Sequence, residues 1–436
     1  MRLPAQPAVR RPAHPARPAG ADLADPSFWQ LPPDVRLAAF AALRKVDHPV
    51  WFTERPATRR RPEQGFYALV RHADVVRASR LPEVFASAPG VTTPEPARWV
   101  RFLFGDSMVN LDAPHHTRLR RVVSRAFTPR LLAAADEDIR RVAERVVDDM
   151  IARRPDDFVA SVSSRMPFEV ICNLMGIPER YRADIAGRID HASENAGVKR
   201  GIGARLRDPG RGLRALARMH LMMAALGRER RRHPTDDLIS ALVRADVDGR
   251  GLGARSLGSF FSLLMVAGVE TTRNAITHAL TLLTDNPEQR ALLASDFERY
   301  ADGAVDEVVR HSTPIIQFRR TVRSEYELGG HLFRPGDKVV LYYASANRDE
   351  AVFADPDAFD ITRAPNPHLG YGGGGPHFCL GSHLARQEIK ALFRELLSRP
   401  LALRAVGLPD LAGSNFDNRV RALRFTFEPP APKSGV

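Results

Sequence analysis

The sequence contains few of the residues that several protein classes require. Its 436 residues include two cysteines, Cys172 and Cys379, which excludes a disulfide framework, a four-cysteine zinc site and an iron–sulfur cluster bound by its own thiolates. Long apolar runs are also missing, because the best candidate, 260–269, contains Ser262 and ends at Glu270. Apolar residues make up 44% and charged residues 26% of the chain, as in ordinary globular proteins. These features predict a soluble globular protein with no membrane anchor.

Acidic residues are fewer than basic ones, 51 against 64, which leaves a formal net charge of +13. A basic excess is typical of nucleic-acid-binding proteins when it is concentrated on one surface. Here the arginines are scattered, and the clusters Arg59–Arg61 and Arg228–Arg232 are not interleaved with aromatic residues that could stack on bases. We therefore predict no nucleic-acid binding. The charge fits an arginine-rich solvated surface or a basic patch that docks an acidic protein.

Two regions are predicted from composition along the chain. Residues 1–20 contain five prolines and four arginines, with neither an acidic residue nor the apolar core of a signal peptide. We predict a disordered arm there and a cytoplasmic protein, because so many prolines disfavour the amphipathic helix of a transit peptide. No linker or repeat divides residues 21–436, which are predicted to form one large domain.

Helical periodicity dominates the remaining sequence, so the predicted fold class is mainly α with a minor β portion. The longest periodic segment is Ser256–Asp285, with Ser256 as its cap and Asn286-Pro287 as its end. A glycine- and arginine-rich stretch, 200–214, is predicted to be a loop. The other predicted helices are 33–45, 131–151, 167–174, 213–226, 237–243, 304–311 and 380–399, and the predicted strands are 50–54, 66–70, parts of 319–344, and parts of 419–427.

The glycine-rich stretch before Cys379 is the most informative part of the sequence. Gly370, Gly372 and Gly375 fit a dinucleotide-binding pattern, but no clear strand precedes them and no Lys-Ser/Thr pair follows for a phosphate loop. A third interpretation makes Cys379 a metal ligand, since glycines let backbone approach a flat cofactor and a following helix stabilises a thiolate. A thiolate bound to haem iron favours O–O cleavage. Cys172, on an apolar helix face, is predicted to be an inert core residue.

With its aromatic residue, glycines, basic residue and Cys-x-Gly, this loop resembles that of the cytochromes P-450. The resemblance extends from about residue 22 to the end, and it is to the soluble bacterial class. It implies a fold in which one long central helix crosses over haem b. It also implies that Cys379 is the axial ligand of the haem iron and that Gly373, His377, Phe378 and Gly381 bind the cofactor.

The long helix contains Ala267-Gly-Val-Glu-Thr-Thr272, a step of small residues followed by an acid and two hydroxyls. Ala267 and Gly268 are expected beside the cofactor, with Gly268 leaving room for a diatomic ligand. Thr271 is expected to hydrogen-bond bound oxygen and Glu270 to organise proton delivery, as in the acid–alcohol pair of the family. The alternative is a threonine bonded to its own helix carbonyls and a Glu270 exposed to solvent. The presence of Cys379 downstream favours the first interpretation.

Glu307 and Arg310 lie at i and i+3 on one helix face, a spacing that stabilises a helix only slightly. By resemblance they are the family's Glu-x-x-Arg motif, which joins Arg363 to stabilise the region of the cysteine loop. This task is structural and not catalytic.

Four basic residues are expected to bind the haem propionates. His116 and Arg120 are one helical turn apart and could reach one propionate together. By resemblance Arg320 and His377 bind propionates too. The alternative for each residue is a solvated surface cation.

Within the family, the strongest resemblance is to actinobacterial enzymes that oxidise sterol side chains and methyl-branched lipids. It rests on 107–112, 266–274 and 366–375, with one departure at Val269, where those relatives usually carry Asn. The implied substrate is hydrophobic and isoprenoid-like: a steroid, terpenoid or branched lipid.

The expected pocket walls are the 89–104 loop, Val266, Ala267, Ile315 and Ile316, which are mostly apolar. The chain has neither a flavin domain nor iron–sulfur ligands, so electrons are expected from a ferredoxin and its reductase, with O₂ as co-substrate. A monomer is expected. A non-catalytic haem sensor or carrier is the alternative function. A serine hydrolase is excluded, because no Gly-x-Ser-x-Gly occurs.

Overall fold

The structure is a computed structural model, and it describes residues 18, 20–54, 64–93, 107–195, 209–244, 253–399 and 401–427. Apart from Pro18 and Gly20, the arm predicted at 1–20 lies outside these residues. So do the Arg59–Arg61 cluster and 94–104 of the expected pocket loop.

Helices form most of the described chain, which confirms the predicted mainly α fold class. In chain order they are α1 (Pro33–Arg44), α2 (His72–Ser79), α3 (His115–Ala126), α4 (Pro129–Arg153), α5 (Arg165–Leu174), α6 (Glu179–Asn195), α7 (Pro209–Arg232), α8 (Leu238–Arg244), α9 (Ala254–Leu264), α10 (Thr271–Asp285), α11 (Pro287–Ser295), α12 (Phe297–Ser312), α13 (Tyr343–Ala346) and α14 (Ser382–Ser398).

Several predicted boundaries are wrong. The helix predicted over 304–311 begins at Phe297. Residues 209–214 of the loop predicted over 200–214 belong to α7, which begins at Pro209, and 200–208 lie outside the described residues. A proline fits the first turn of a helix, where its missing N–H is not needed. The central helix begins at Ala254 after an extended Gly253, so Ser256 is not its cap. The helix predicted from 380 begins at Ser382.

In the part of the chain that the structure describes, the minor β portion consists of one five-stranded sheet and three two-stranded ones. The strands are β1 (Val50–Glu54), β2 (Gln64–Leu69), β3 (Phe85–Ala86), β4 (Gln317–Val322), β5 (Tyr326–Leu328), β6 (His331–Phe333), β7 (Lys338–Tyr342), β8 (Arg404–Ala405), β9 (Asp410–Leu411), β10 (Val420–Ala422) and β11 (Phe425–Thr426). The large sheet has the order β1-β2-β7-β4-β3, in which β2 and β7 are parallel and the other neighbours antiparallel. The small sheets pair β5 with β6, β8 with β11 and β9 with β10.

The largest apolar core surrounds the central helix. Helix α4 contributes Val142 and Val146, which are fully buried, and packs against α14 and α5. Cys172 of α5 is buried in the same core, and burial raises the pKa of its thiol to about 12. Cys172 is therefore a core residue, as predicted.

The central helix is interrupted by a π-helical stretch, Met265–Glu270, between α9 and α10. The periodicity of the sequence did not reveal it, because residues 260–269 are apolar at nearly every position and a shift of the apolar stripe leaves no visible break there. Such stretches occur often at functional sites. This one coincides with the small-residue and acidic step described above.

Candidate functional site

The cysteine loop is a tight turn packed on α2. The Cys379 N–H donates to the Tyr371 carbonyl at 2.9 Å and closes the loop. Gly375 has a φ of +74°, and a side chain there would overlap the Ser79 carbonyl oxygen. A Cβ at Gly373 would lie 2.5 Å from the Ser79 hydroxyl. The glycines therefore serve both the turn and its close approach to α2.

The Cys379 residue is exposed to solvent but closely surrounded by protein. Burial raises the pKa of its thiol, while the Gly381 N–H and the Arg120 guanidinium act in the opposite direction. Gly381 immediately precedes α14, so the predicted contribution of the helix N-terminus is present. This contribution lowers the pKa of the Cys379 thiol by less than burial raises it. Phe378 lies beside the cysteine with 40% of its surface exposed.

Four basic side chains from three separate elements meet beside this loop. His116 and Arg120 belong to α3, Arg320 to β4 and His377 to the loop itself. The rings of His116 and His377 lie 4.1 Å apart, and Arg120 donates from Nη2 to the Phe378 carbonyl at 2.7 Å. His116 and Arg320 are buried. The structure thus brings together all four residues that sequence reasoning placed on the propionates.

These basic groups oppose one another's charge. Burial, followed by Arg320, His116 and Arg120, lowers the pKa of His377 to about 2. Burial and then Arg120 lower the pKa of His116, and burial lowers the pKa of Arg320. A region that disfavours its own cations in this way is suited to an anionic ligand.

Sequence reasoning missed two residues that support this cluster. Ser87 Oγ lies 3.0 Å from His377 Nε2. Asp112 accepts from the Ser87 N–H at 2.8 Å and from Arg323 Nη2 at 2.6 Å. Its carboxylate is therefore already engaged by other donors. No local signal in the sequence could have found these contacts, because they join segments distant in the chain.

The residues present fit a haem. A thiol on a glycine loop offers an axial ligand, and the partly buried cationic cluster beside it offers partners for two propionates. In this reading Cys379 would bind the iron, and His116, Arg120, Arg320 and His377 would bind the carboxylates.

The side chains of the small-residue and acidic step differ in their exposure and contacts. Thr271 Oγ1 donates to the Ala267 carbonyl at 2.5 Å, which the alternative interpretation had anticipated. Glu270, however, is 5% exposed and not a solvated side chain. Val269, the departure from the relatives, is buried in the core. It therefore does not share the exposed face of Ala267.

Gly268 packs against a neighbouring helix. A Cβ at Gly268 would lie 3.1 Å from Ile171 Cδ1, a buried residue of α5. The missing side chain therefore makes room for helix packing. The expected place of Gly268 beside the cofactor stays a prediction.

The expected role of Ile316 as a pocket wall is wrong. Ile316 is 1% exposed and lies in the apolar cluster that contains Trp29 and Phe40. Neighbouring residues of extended backbone point to opposite sides, so Ile315, which is half-buried, lies on the other face. Val266 is on the π-helical stretch, and its side chain is outside the described part of the chain.

The structure joins Glu307, Arg310 and Arg363. Both Glu307 and Arg310 are fully buried and form two hydrogen bonds, at 2.7 and 2.8 Å. Arg363 Nε lies 3.2 Å from the same carboxylate. Burial alone would raise the pKa of Glu307, but the hydrogen bonds and charge of Arg310 lower it overall.

Two asparagines that sequence reasoning missed connect this cluster to the cysteine loop. Asn366 Nδ2 donates to Glu307 at 3.0 Å. Asn347 accepts from the Leu369 N–H at 2.6 Å, and its carbonyl accepts from Arg310 at 2.9 Å. The cluster is therefore tied to the segment that leads into Cys379.

Comparison with known proteins agrees with this geometry. The family model described as Cytochrome P450 matches residues 216–399. A methyl-branched lipid omega-hydroxylase of Mycobacterium tuberculosis is 44% identical over 419 residues, covering 94% of this chain and 95% of that protein. A steroid C26-monooxygenase of Mycolicibacterium smegmatis is 35% identical over 394 residues, covering 87% and 88%. A Mycobacterium marinum cytochrome P450, solved in complex with pseudoionone, matches with a TM-score of 0.86 and 38% identity, covering 96% of this chain and 100% of that one.

The helical fold, the cysteine loop and the cationic cluster define a haem-thiolate enzyme. The chain belongs to the cytochrome P450 family. It is a monooxygenase, an oxidoreductase whose cofactor is haem b. Among the described residues, no helix is both long and apolar enough to cross a membrane.

Proposed function

We propose that this monooxygenase hydroxylates a C–H bond of a methyl-branched lipid, a steroid side chain or another isoprenoid-like molecule. One oxygen atom of O₂ enters the C–H bond, and the other is reduced to water with two electrons and two protons. The observation that supports the chemistry is the cysteine loop with its cationic cluster. The names of the relatives support the substrate class, and a bound pseudoionone in the structural relative supports an isoprenoid-like ligand.

When bound, the haem supplies the activation of O₂, with thiolate ligation favouring O–O cleavage. In the proposed mechanism Cys379 binds the iron, while the four basic residues fix the cofactor through its propionates. Ala267, on an exposed face of the π-helical stretch, leaves space beside the cofactor.

Proton supply is assigned to the acid–alcohol pair. The Thr271 hydroxyl donates to the Ala267 carbonyl, so its oxygen keeps lone pairs that can accept a hydrogen bond. Glu270 precedes it and is the nearest acid along the helix. We assign Glu270 to bring protons and Thr271 to position them.

Electrons are proposed to come from a ferredoxin and its reductase. Helix α3 exposes Arg118, Arg121 and Arg125 and carries no acidic residue, and its Arg120 contacts the carbonyl of the exposed Phe378. A basic surface next to the cysteine loop suits an acidic electron donor. A single catalytic domain over 21–436, a monomeric state and a cytoplasmic location belong to the same proposal.

Product analysis with labelled oxygen tests this function. Purified holoenzyme, a surrogate ferredoxin, its reductase and NADPH are incubated with isopalmitic acid, cholesterol or pseudoionone under isotopically labelled O₂. We expect a hydroxylated product that carries one labelled oxygen. Haem binding without oxygen-dependent product from any of these probes would favour a non-catalytic sensor or carrier.

A further inference from the structure

The guanidinium of Arg320 is held by the large sheet on more than one side. Its Nη1 donates to the carbonyl of Arg319 at 2.8 Å, and its Cζ lies 5.7 Å from the centre of the Phe318 ring. Arg320 is 3% exposed. A guanidinium has five N–H donors, so these two contacts leave donors for other acceptors. The acceptors around those donors therefore decide where the guanidinium points.

Tyr343, the first residue of α13, supplies one of these acceptors. Its side chain is buried, and its ring lies 6.0 Å from that of Phe318 in an edge-to-face arrangement. The phenol is hydrogen-bonded to Arg320 and to Ser79. Burial raises the pKa of Tyr343, while the charge of Arg320 acts in the opposite direction. Tyr343 is therefore a neutral phenol beside a buried cation.

The hydrogen bonds of this phenol run in one direction. A guanidinium can only donate, so the phenol oxygen of Tyr343 accepts from Arg320. The hydroxyl of Ser79 donates to the Val75 carbonyl at 2.7 Å, so its oxygen accepts from the O–H of Tyr343. The guanidinium of Arg320 is thereby connected, through two hydroxyl groups, to the backbone of α2.

Ser79 is also the residue on which the cysteine loop packs. A Cβ at Gly373 would lie 2.5 Å from the Ser79 hydroxyl, and a Cβ at Gly375 would overlap the Ser79 carbonyl oxygen. One serine of α2 therefore contacts both the loop that carries Cys379 and the phenol that is bonded to Arg320. The loop and the arginine have a common support.

We propose that Tyr343 is a positioning residue that holds the Arg320 guanidinium in the orientation that binds a haem propionate. Without the phenol oxygen, the guanidinium loses its acceptor on α13 and is free to turn about its long side chain. Because the phenol is neutral, it directs the arginine without neutralising the charge that a carboxylate needs. This role rests on the proposed function, because it presumes that Arg320 binds a propionate.

The test compares holoenzyme variants that lose one hydroxyl group. Tyr343→Phe removes the phenol oxygen alone. Tyr342→Phe is the matched control, because Tyr342 is the preceding residue and its ring lies on the other face of the sheet, against Trp29 and Phe40. Arg320→Met and the double variant of Tyr343→Phe with Arg320→Met complete the set. The measurements are the rate of haem transfer to excess apomyoglobin and the propionate bending band in the resonance Raman spectrum.

We expect Tyr343→Phe to lose haem about fivefold faster than wild type, as the loss of one hydrogen bond implies, and to shift the propionate band. Tyr342→Phe should match the wild type in both measurements. The double variant should lose haem no faster than Arg320→Met, because the phenol acts through the arginine.

Three results overturn the role of Tyr343 while Arg320→Met loses haem faster than wild type. The first is a Tyr343→Phe variant with unchanged haem loss and an unchanged propionate band. The second is a double variant in which the two effects multiply. The third is loss of the thiolate Soret band in Tyr343→Phe but not in Tyr342→Phe, because the phenol would then support the loop and not the arginine. Unchanged haem loss in Arg320→Met overturns the propionate binding on which the role rests.

Discussion

The imidazole rings of His116 and His377 lie 4.1 Å apart, one on α3 and one on the cysteine loop. Two basic rings this close to Arg120 and Arg320 disfavour protonation of each other, which is why the pKa of His377 is lowered to about 2 by burial and its neighbours. Anionic carboxylates bound beside these groups would stabilise their positive charges. The relationship between the two histidines is therefore the most direct structural sign of an anionic cofactor.

The first prediction concerns Arg320, a buried cation of that cluster. Arg320→Met removes a charged partner of a propionate, and we expect haem affinity to fall about tenfold, since hydrogen bonds to charged groups are worth about 1.5–3 kcal/mol. The measurement is titration of the apo-protein with haem. Lys338→Met, on the neighbouring strand and paired with Glu54, is the control and should leave haem affinity unchanged. Equal affinity in Arg320→Met and wild type would contradict the assignment.

The second prediction concerns the buried Glu307. Glu307→Gln leaves Arg310 and Arg363 without their shared carboxylate, and removing one partner of a buried pair costs about 3–5 kcal/mol of unfolding free energy. Urea unfolding measures the loss. Glu298→Gln is the control, because its pair with Arg394 lies at the surface of the same helix and should contribute little. Similar stability losses for the two variants would contradict the account.

Sequence patterns predicted the features that depend on local periodicity or on one compact motif. The helical fold class and the haem-binding family of the Cys379 loop belong to this group. The patterns did not predict that Gly268 packs against Ile171 of a neighbouring helix. They also did not predict that Ile316 is buried in the apolar cluster that contains Trp29 and Phe40. They also missed Arg419 as a partner of Glu270, because the pair joins two distant segments.

The third prediction concerns acid sensitivity at His311. Arg348 Nη2 donates to its Nδ1 at 2.9 Å, so its Nε2 carries the proton donated to the Ala358 carbonyl, and the ring is neutral. Burial, followed by Arg348 and Arg310, lowers its pKa to about 3.

Between about pH 3 and 6.5 the unfolded chain therefore binds a proton at His311 that the folded protein does not. Stability should fall as the pH drops below 6.5, by about 2 kcal/mol at about pH 5 from this residue. Urea unfolding at pH 7 and pH 5 should show a smaller acid loss in His311→Gln than in wild type. The exposed His383→Gln is the control, and an unchanged acid loss in His311→Gln would refute the prediction.

The fourth prediction has the opposite sign and concerns Glu388 of α14. Its Oε2 is buried without a hydrogen-bond partner in the described structure, and burial raises the pKa of its carboxyl from 4.5 to about 8. The unfolded chain releases this proton at lower pH than the folded protein, so stability should fall as the pH rises from 4.5 to 8.

Glu388→Gln removes that dependence while keeping the shape of the side chain. We expect the variant to be more stable than wild type at pH 7, by about 1–3 kcal/mol. Urea unfolding at pH 5 and pH 7 is the measurement. A variant less stable than wild type at pH 7 would show that Glu388 has a stabilising partner when ionised.

The central claim is that Cys379 binds haem iron as a thiolate. The reduced protein is measured with and without carbon monoxide, beside Cys379→Ser and the buried Cys172→Ser as control. We expect a strongly red-shifted Soret band in wild type and in Cys172→Ser, and its loss in Cys379→Ser. A folded wild type without haem, or with the band of histidine ligation, would contradict the account.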